Sequence, residues 1–336
     1  MICYRHDTIF KRKSKINLSD FVITISLFCL IIILLLNPTR YSNATLDGLK
    51  LFLVGVFPTL FPFVFISKIL SALQTPLVLS NSLKNLSHKL FHAPSCISYV
   101  YLLSILCGYP IGAKLTGDLF TQGIINHKQV KQLTYFCSTS GLLFVIGTIG
   151  TIMFGSSLIG IIIYVSHILG CFIGGLILSR IDKQPDFSEK PIPHTASSNI
   201  ISESITSSIK SIVIVGAYIT LFCLFTKILC DLTIFKYILH FIELLFDKLG
   251  IPTNLASGLV TGIFEMTNGC KQLSMHTSNA AIILASGIIS FGGISILLQS
   301  QTFLKNTKIK ARTLLFTKFV HAICSMIICY IILLII

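Results

Sequence analysis

Apolar residues in this chain gather into long blocks, separated by short polar breaks that carry proline or glycine. Blocks at 21–36, 49–73, 133–154, 157–178, 211–230, 280–298 and 314–336 each approach the roughly 20 residues that a helix rising 1.5 Å per residue needs to cross about 30 Å of hydrocarbon. They predict seven spans. Two further blocks stop short. The run 98–107 ends at Gly108-Tyr109-Pro110-Ile111-Gly112-Ala113-Lys114, and the polar Lys114, Thr116 and Asp118 follow too soon for a full crossing. In the second half, Glu265-Met266-Thr267-Asn268-Gly269-Cys270-Lys271 interrupts apolar sequence in the same way. Irregular backbone at membrane depth survives only inside protein or beside a water-filled cavity, so both breaks predict re-entrant hairpins.

The pattern also repeats. Both breaks contain Gly-x-Lys, and each is followed by Ser-Gly-x5-Gly, as Ser140-Gly141 with Gly147 and as Ser286-Gly287 with Gly293. Upstream, Gly55-x3-Thr59-Leu60-Phe61 matches Gly216-x3-Thr220-Leu221-Phe222, and Ser67-Lys68-Ile69-Leu70 matches Thr226-Lys227-Ile228-Leu229. Matched features in one order predict a duplication, and paired interrupted segments are the mark of a repeated carrier fold with its site at the breaks. The expected division is a basic tail and first helix at 1–45, a first repeat at 46–180, a polar linker at 181–208 with Pro185, Pro191 and Pro193, and a second repeat at 209–336. The predicted fold class is an all-α polytopic membrane protein, with two inverted repeats built on broken or re-entrant helices. Pro58 and Pro62 should kink the block 49–73 toward the protein interior.

Composition agrees. Hydrophobic residues make up 53% of the 336, charged residues 11%, and mean hydropathy is +0.86, whereas soluble domains carry about 25% charged residues. The net charge of +14 would suit nucleic acid, but the basic residues flank apolar blocks, so the expected partner is a lipid bilayer and no nucleic acid. Arg5, Lys11, Arg12, Lys13 and Lys15 precede the first block. Lys84, His88, Lys89 and His92 lie in the connection 74–95, and Lys305, Lys308, Lys310 and Arg312 in 300–312. Placing all three in the cytoplasm gives an inside N-terminus, an outside C-terminus and second-half spans opposed to their first-half matches. The segment 235–249 carries Lys236, His240, Glu243 and Asp247 on one helical face, which predicts an interfacial helix; an eighth crossing there is the rival. No cleavage site closes the first block, which reads as a retained span. The 11 cysteines are scattered singly, which fits neither a disulfide frame nor a zinc site. With no phosphate loop, His-Glu-x-x-His set or nucleophile elbow, and with histidines mostly in connections, the expectation is no enzyme, no cofactor and no metal.

The candidate chemistry lies at the breaks. Lys114 and Lys271 would face a polar path if deep, and would snorkel if near a helix end. Glu265 can exchange a proton, hold a cation or pair with Lys271. Thr267 and Asn268 bring hydrogen-bonding groups to the same break. The hydroxyls of Ser138, Thr139 and Ser140 serve either a ligand or helix packing, and Tyr109 either stacks on a flat ligand or anchors its hairpin. Gly108, Pro110, Gly112 and Gly269 are the expected structural breaks.

At Gly108 to Lys114, at Glu265 to Gly269, and through Ser138-Thr139-Ser140-Gly141 and the later Ser-Gly element, the sequence resembles the YlbJ family of sporulation integral membrane proteins, over most of the chain beyond residue 45. That resemblance implies two domains of the gate or nucleoside-recognition type, a distant relation to concentrative nucleoside transporters, and a role in spore cortex formation. It further implies movement of dipicolinic acid across the outer forespore membrane, with Tyr109, Lys114, Glu265, Thr267, Asn268 and the Ser138 to Ser140 run as the matching positions. Cys270 before Lys271 and a short inter-repeat loop depart from the family pattern. Dipicolinate is expected to be a dianion near neutral pH, so Lys114 and Lys271 would supply compensating charge, and Glu265 would serve proton coupling or hold Lys271. A non-transporting sporulation scaffold and a nucleoside carrier are the alternatives. Partners beyond lipid would be a second copy of the chain or other sporulation membrane proteins.

Overall fold

The computed structural model describes residues 18–73, 75–91, 93–182, 199–276 and 278–336, and every regular element among them is a helix. The basic tail at 1–17, His92, and Pro185, Pro191 and Pro193 of the expected linker lie outside the described residues. Two units meet at Asn43 and Ala44. The first contains α1, Leu18–Leu36, an apolar helix ended by Asn37 before Pro38, which opens the next helix at the position where a missing N–H costs nothing.

Both expected repeats fall in the second unit. The path leads from α2, Pro38–Lys50, through a π-helical stretch, Leu51–Val56, into α3, Phe57–Ala72. The expected disturbance at Pro58 and Pro62 takes this form. Hydroxyls serve the carbonyls around it: Thr59 Oγ1 donates to Val56 O at 3.0 Å and Gly55 O at 3.3 Å, and Thr148 Oγ1 reaches Gly55 O at 3.4 Å. Short segments α4, Thr75–Ser82, and α5, Lys84–Leu86, lead to α6, Ile97–Cys107, and α7, Ile111–Thr121. Next come α8, His127–Thr134, a second π-helical stretch, Phe144–Met153, and the long α9, Ser157–Asp182. Then follow long α10, Ile200–Asp231; surface α11, Thr233–Lys248; paired α12, Ala256–Phe264, and α13, Met266–Leu273; broken α14, Asn279–Phe291, and α15, Gly293–Phe303; and long α16, Ala311–Ile335.

Each paired unit doubles back. A Cβ on Gly112 would stand 2.7 Å from Ser104 Oγ, and one on Gly258 would stand 2.8 Å from Leu273, with Gly269 closed on Gly262. Arms of 11 residues in α6 and α7, and of 9 and 8 in α12 and α13, are too short to cross about 30 Å of hydrocarbon. The long helices that occupy matching places run antiparallel. Along α9 and α16, Gly170 meets Ser325 and Gly174 meets His321; along α10, Gly216 meets Phe52 while Thr220 and Cys223 meet Gly48. Small residues at these contacts let the backbones close on one another.

Among the described residues, five helices are long and apolar enough to cross a membrane: Pro38–Leu70, Ser157–Asp182, Ile200–Asp231, Asn279–Phe303 and Ala311–Ile335. Two of the seven expected spans, 21–36 and 133–154, are not among these five. The block 133–154 is not one helix, because the chain leaves helical geometry after Tyr135 and returns to it beyond Gly141. The block 280–298 is interrupted at Gly292, in the left-handed region at φ 81°. Hydrophobicity marks a block as suited to a membrane; it does not report whether the backbone is wound. The expected linker also ends early, since α10 begins at Ile200 rather than near 211. Helix α11 is not among the long apolar helices; Ile234, Tyr237, Phe241 and Leu245 are exposed along it.

Candidate functional site

Four helix interruptions meet in the interior of the second unit. Gly108 takes φ 79°, which L side chains avoid, and the backbone of Gly141 occupies the place where its Cβ would be. Beyond the break, the carbonyl of Cys137 fills the same place at Gly112. The first hairpin therefore lies directly across the unwound segment 138–141. Ser104 and Thr139 tie the two together through a 2.9 Å hydroxyl pair. In the second half, a Cβ on Gly293 would stand 3.1 Å from the carbonyls of Gly262 and Phe264, and 3.3 Å from the amide of Met266, so the break at Gly292 adjoins the break at Glu265. Between the two crossings lies a cavity of about 50 Å³, whose lining includes Thr59, Tyr109, Ser140, Glu265 and Thr267. That volume has room for a few waters and is well below the roughly 300–1,000 Å³ of small-molecule sites.

Lys318 stands behind this cavity, on α16, with 3% of its surface exposed. Its Nζ donates to Tyr109 Oη at 2.7 Å, to the Ser138 carbonyl at 2.7 Å and to the Ser290 carbonyl at 3.4 Å. These match the three N–H bonds of an ammonium. The Tyr109 ring lies 3.9 Å below it, within cation–π range. Tyr109 in turn donates its hydroxyl proton to Ile289 O at 2.9 Å. Among the described residues no carboxylate partners this lysine, so its buried amine is held entirely by neutral acceptors drawn from both halves of the chain.

Two histidines fix the surrounding backbone. Ser140 N donates to His167 Nε2 at 2.7 Å, which makes Nε2 the acceptor and places the ring proton on Nδ1, where it reaches Ser290 Oγ at 2.8 Å. His321 Nε2 lies 2.9 Å from the Tyr135 carbonyl and must carry the proton there. Both imidazoles thus satisfy groups that unwinding removes from a helical ladder, as the low-dielectric interior demands.

Glu265 begins α13 as its N-cap. The carboxylate, 2% exposed, accepts from Thr267 N at 3.1 Å and Asn268 N at 2.7 Å, a place where the helix dipole favours negative charge. Its partner is this helix terminus and not Lys271. Glu265→Ala is expected to lower stability by about 1–2 kcal/mol and Glu265→Gln by less, because the amide oxygen still accepts. Thermal unfolding in detergent reads this, and equal stability of all three proteins would refute the cap.

The structure brings some of the expected residues together and separates others. Tyr109, Ser140, Glu265 and Thr267 line the cavity; Ser138 supplies a carbonyl to Lys318; Thr139 binds Ser104. Pro110 caps α7, and Gly108, Gly112 and Gly269 stand at close backbone approaches. Asn268 donates its side-chain amide to Cys223 Sγ at 3.1 Å and faces a separate, wider vestibule together with Lys271. Lys114 is elsewhere again, 5.4 Å from the centre of the Phe303 ring, so the two Gly-x-Lys lysines do not share one site. Ser286 is inside α14, where it bonds Ile283 O and accepts from Ser325 through its carbonyl; the matching break falls at Gly292. The sequence reading passed over Lys318, His167, His321 and Ser290. A signal was present, since Lys318 and His321 sit three residues apart within an apolar block, and ionisable groups in such blocks default to function.

Among the described residues, five long apolar helices, two doubled-back pairs too short to span and a buried polar centre at the helix breaks define a multi-pass α-helical membrane protein. The chain is 27% identical over 298 residues to the sporulation integral membrane protein YlbJ of Bacillus subtilis (strain 168), a match that covers 82% of this chain and 73% of that protein. That similarity supports the resemblance to the YlbJ family of sporulation integral membrane proteins. No family model matches the sequence, and no solved structure matches it.

Proposed function

We propose that this protein is a sporulation membrane carrier that moves a small dicarboxylate of the dipicolinate type, in the outer forespore membrane, in support of cortex formation. The observation that carries the reading is the convergence of four helix breaks on one cavity, with Lys318 held behind it by Tyr109, Ser138 and Ser290. A pure scaffold has no need of unwound backbone at depth, which costs several kcal/mol for each polar group left unpaired. Carriers place substrates at such breaks, where helix N-termini point their positive ends at anions. The antiparallel packing of α9 on α16, and of α10 on the segment containing Gly48 and Phe52, supports an inverted arrangement of the two repeats. The cavity's small volume fits a centre that is closed until the two halves rock apart.

Flux into proteoliposomes tests this. Pyridine-2,6-dicarboxylate is expected to enter faster than into protein-free vesicles and to be outcompeted by itself but not by nucleosides. Competition by nucleosides alone would assign a nucleoside carrier. Flux at the protein-free level, from protein shown to be folded, would overturn carriage and favour the scaffold.

A further inference from the structure

The sequence repeat pairs Lys68 with Lys227 and Lys114 with Lys271, and the structure places the two pairs in opposite circumstances. Lys68, on α3, makes a 3.2 Å ion pair with Asp118, and Lys114 lies against the Phe303 ring. There Gly117 of α7 packs against the Phe303 carbonyl, and Asp118 answers the charge of Lys68. The other pair, Lys227 on α10 and Lys271 on α13, lines an open vestibule of about 1160 Å³ together with Lys50, Asn268 and Gln272. Asp118 follows Lys114 by four residues, whereas Met275 holds the position four residues after Lys271. Lys50, Lys227 and Lys271 make no ion pair among the described residues, and Asp47 is the acid on the vestibule wall.

From this asymmetry we propose that the vestibule is an anion-receiving site, in which Lys50, Lys227 and Lys271 hold the carboxylates of a small dianion before it reaches the central cavity. The ligand supplies at this end the negative charge that Asp118 supplies at the other. Three like charges facing one concavity raise the local concentration of anions, and low-dielectric walls strengthen their pull relative to open water. The volume, above the roughly 300–1,000 Å³ of small-molecule sites, has room for a flat six-membered ring with two carboxylates, which the central cavity does not admit in this conformation. The route inward is short in sequence: Asn268 and Gly55 border the vestibule, and their neighbours Thr267 and Val56 border the cavity. The inference rests on the carrier reading for the identity of the anion, though not for the positive field.

A thiol probe separates the two. Cys230 lines the vestibule and is partly exposed, so a variant with Cys230 as its single cysteine, folded in nanodiscs, can be labelled with an anionic and a cationic methanethiosulfonate. The ratio of the two rates reads the local potential and cancels the reactivity of the thiol itself. Lys227→Gln with Lys271→Gln is expected to lower the anionic-to-cationic ratio by about tenfold, and Met275→Asp to lower it too, while Lys227→Arg with Lys271→Arg keeps it. Pyridine-2,6-dicarboxylate is expected to slow labelling of the parent protein and to lose that protection in the glutamine variant. A ratio unchanged by the glutamine and aspartate substitutions would overturn the vestibule site. If the ratio falls as expected and protection comes from inorganic phosphate rather than the pyridine dicarboxylate, the anion site stands and the proposed substrate fails.

Discussion

Lys318→Met is expected to leave the protein folded and to reduce dicarboxylate flux at least tenfold, equivalent to about 1.4 kcal/mol or more. Methionine has nearly the length of the lysine and belongs in an apolar helix face, and exchanging a buried charge for a well-fitting apolar group is often close to neutral for stability. Two effects offset each other in the fold. The Ser138 carbonyl loses its 2.7 Å donor, which costs about 1–3 kcal/mol for a buried acceptor, and the desolvation of a buried ammonium is relieved at the same time. Function has no such compensation. The positive centre behind the cavity disappears, and Tyr109 keeps its bond to Ile289 but loses the cation on its ring face. The measurement is flux per folded molecule in proteoliposomes, beside a melting curve. Wild-type flux per folded molecule would remove Lys318 from the transport site; a large drop in melting temperature with normal flux would make it a structural clasp.

Gly112→Ala is expected to destabilise the protein by about 3 kcal/mol or more, near the top of the range for overpacking. A single added methyl would meet the Cys137 carbonyl, which belongs to the unwound segment, and backbone cannot swing aside as a side-chain tip can. Moving it would disturb the neighbours on that segment: the Ser138 carbonyl on Lys318, Thr139 on Ser104 and Ser140 on His167. Gly147→Ala is the control. Its added Cβ would touch only the Leu143 side chain, at an ordinary 3.7 Å, so it should be neutral or stabilising by up to about 1 kcal/mol, as expected for glycine replaced by alanine in a helix. Folded yield and detergent melting distinguish the two; equal behaviour would mean that the hairpin and the unwound segment are not in contact.

The contrast between these two glycines separates what the amino-acid pattern carries from what folding adds. Depth in the membrane was legible, because apolar block length reports it directly, and so was the existence of both hairpins, since Gly108 to Lys114 and Glu265 to Lys271 interrupt blocks too short to cross. Matched glycines and lysines supplied the expectation of a repeat. The unwinding at 138–141 and at Gly292 was not, for both lie within blocks long enough to read as single spans and take their partners from distant helices: His167 for the Ser140 amide, and Lys318 for the carbonyls of Ser138 and Ser290. Nor could sequence decide which lysines act together. Lys114 and Lys271 share a motif, yet each meets its own end of the molecule, because a side chain's neighbours are set by helix packing across more than a hundred residues of chain. Sequence determined that polar groups would be buried at the breaks; only the tertiary structure decided which of them satisfy one another, because a buried donor finds its acceptor in space rather than along the chain.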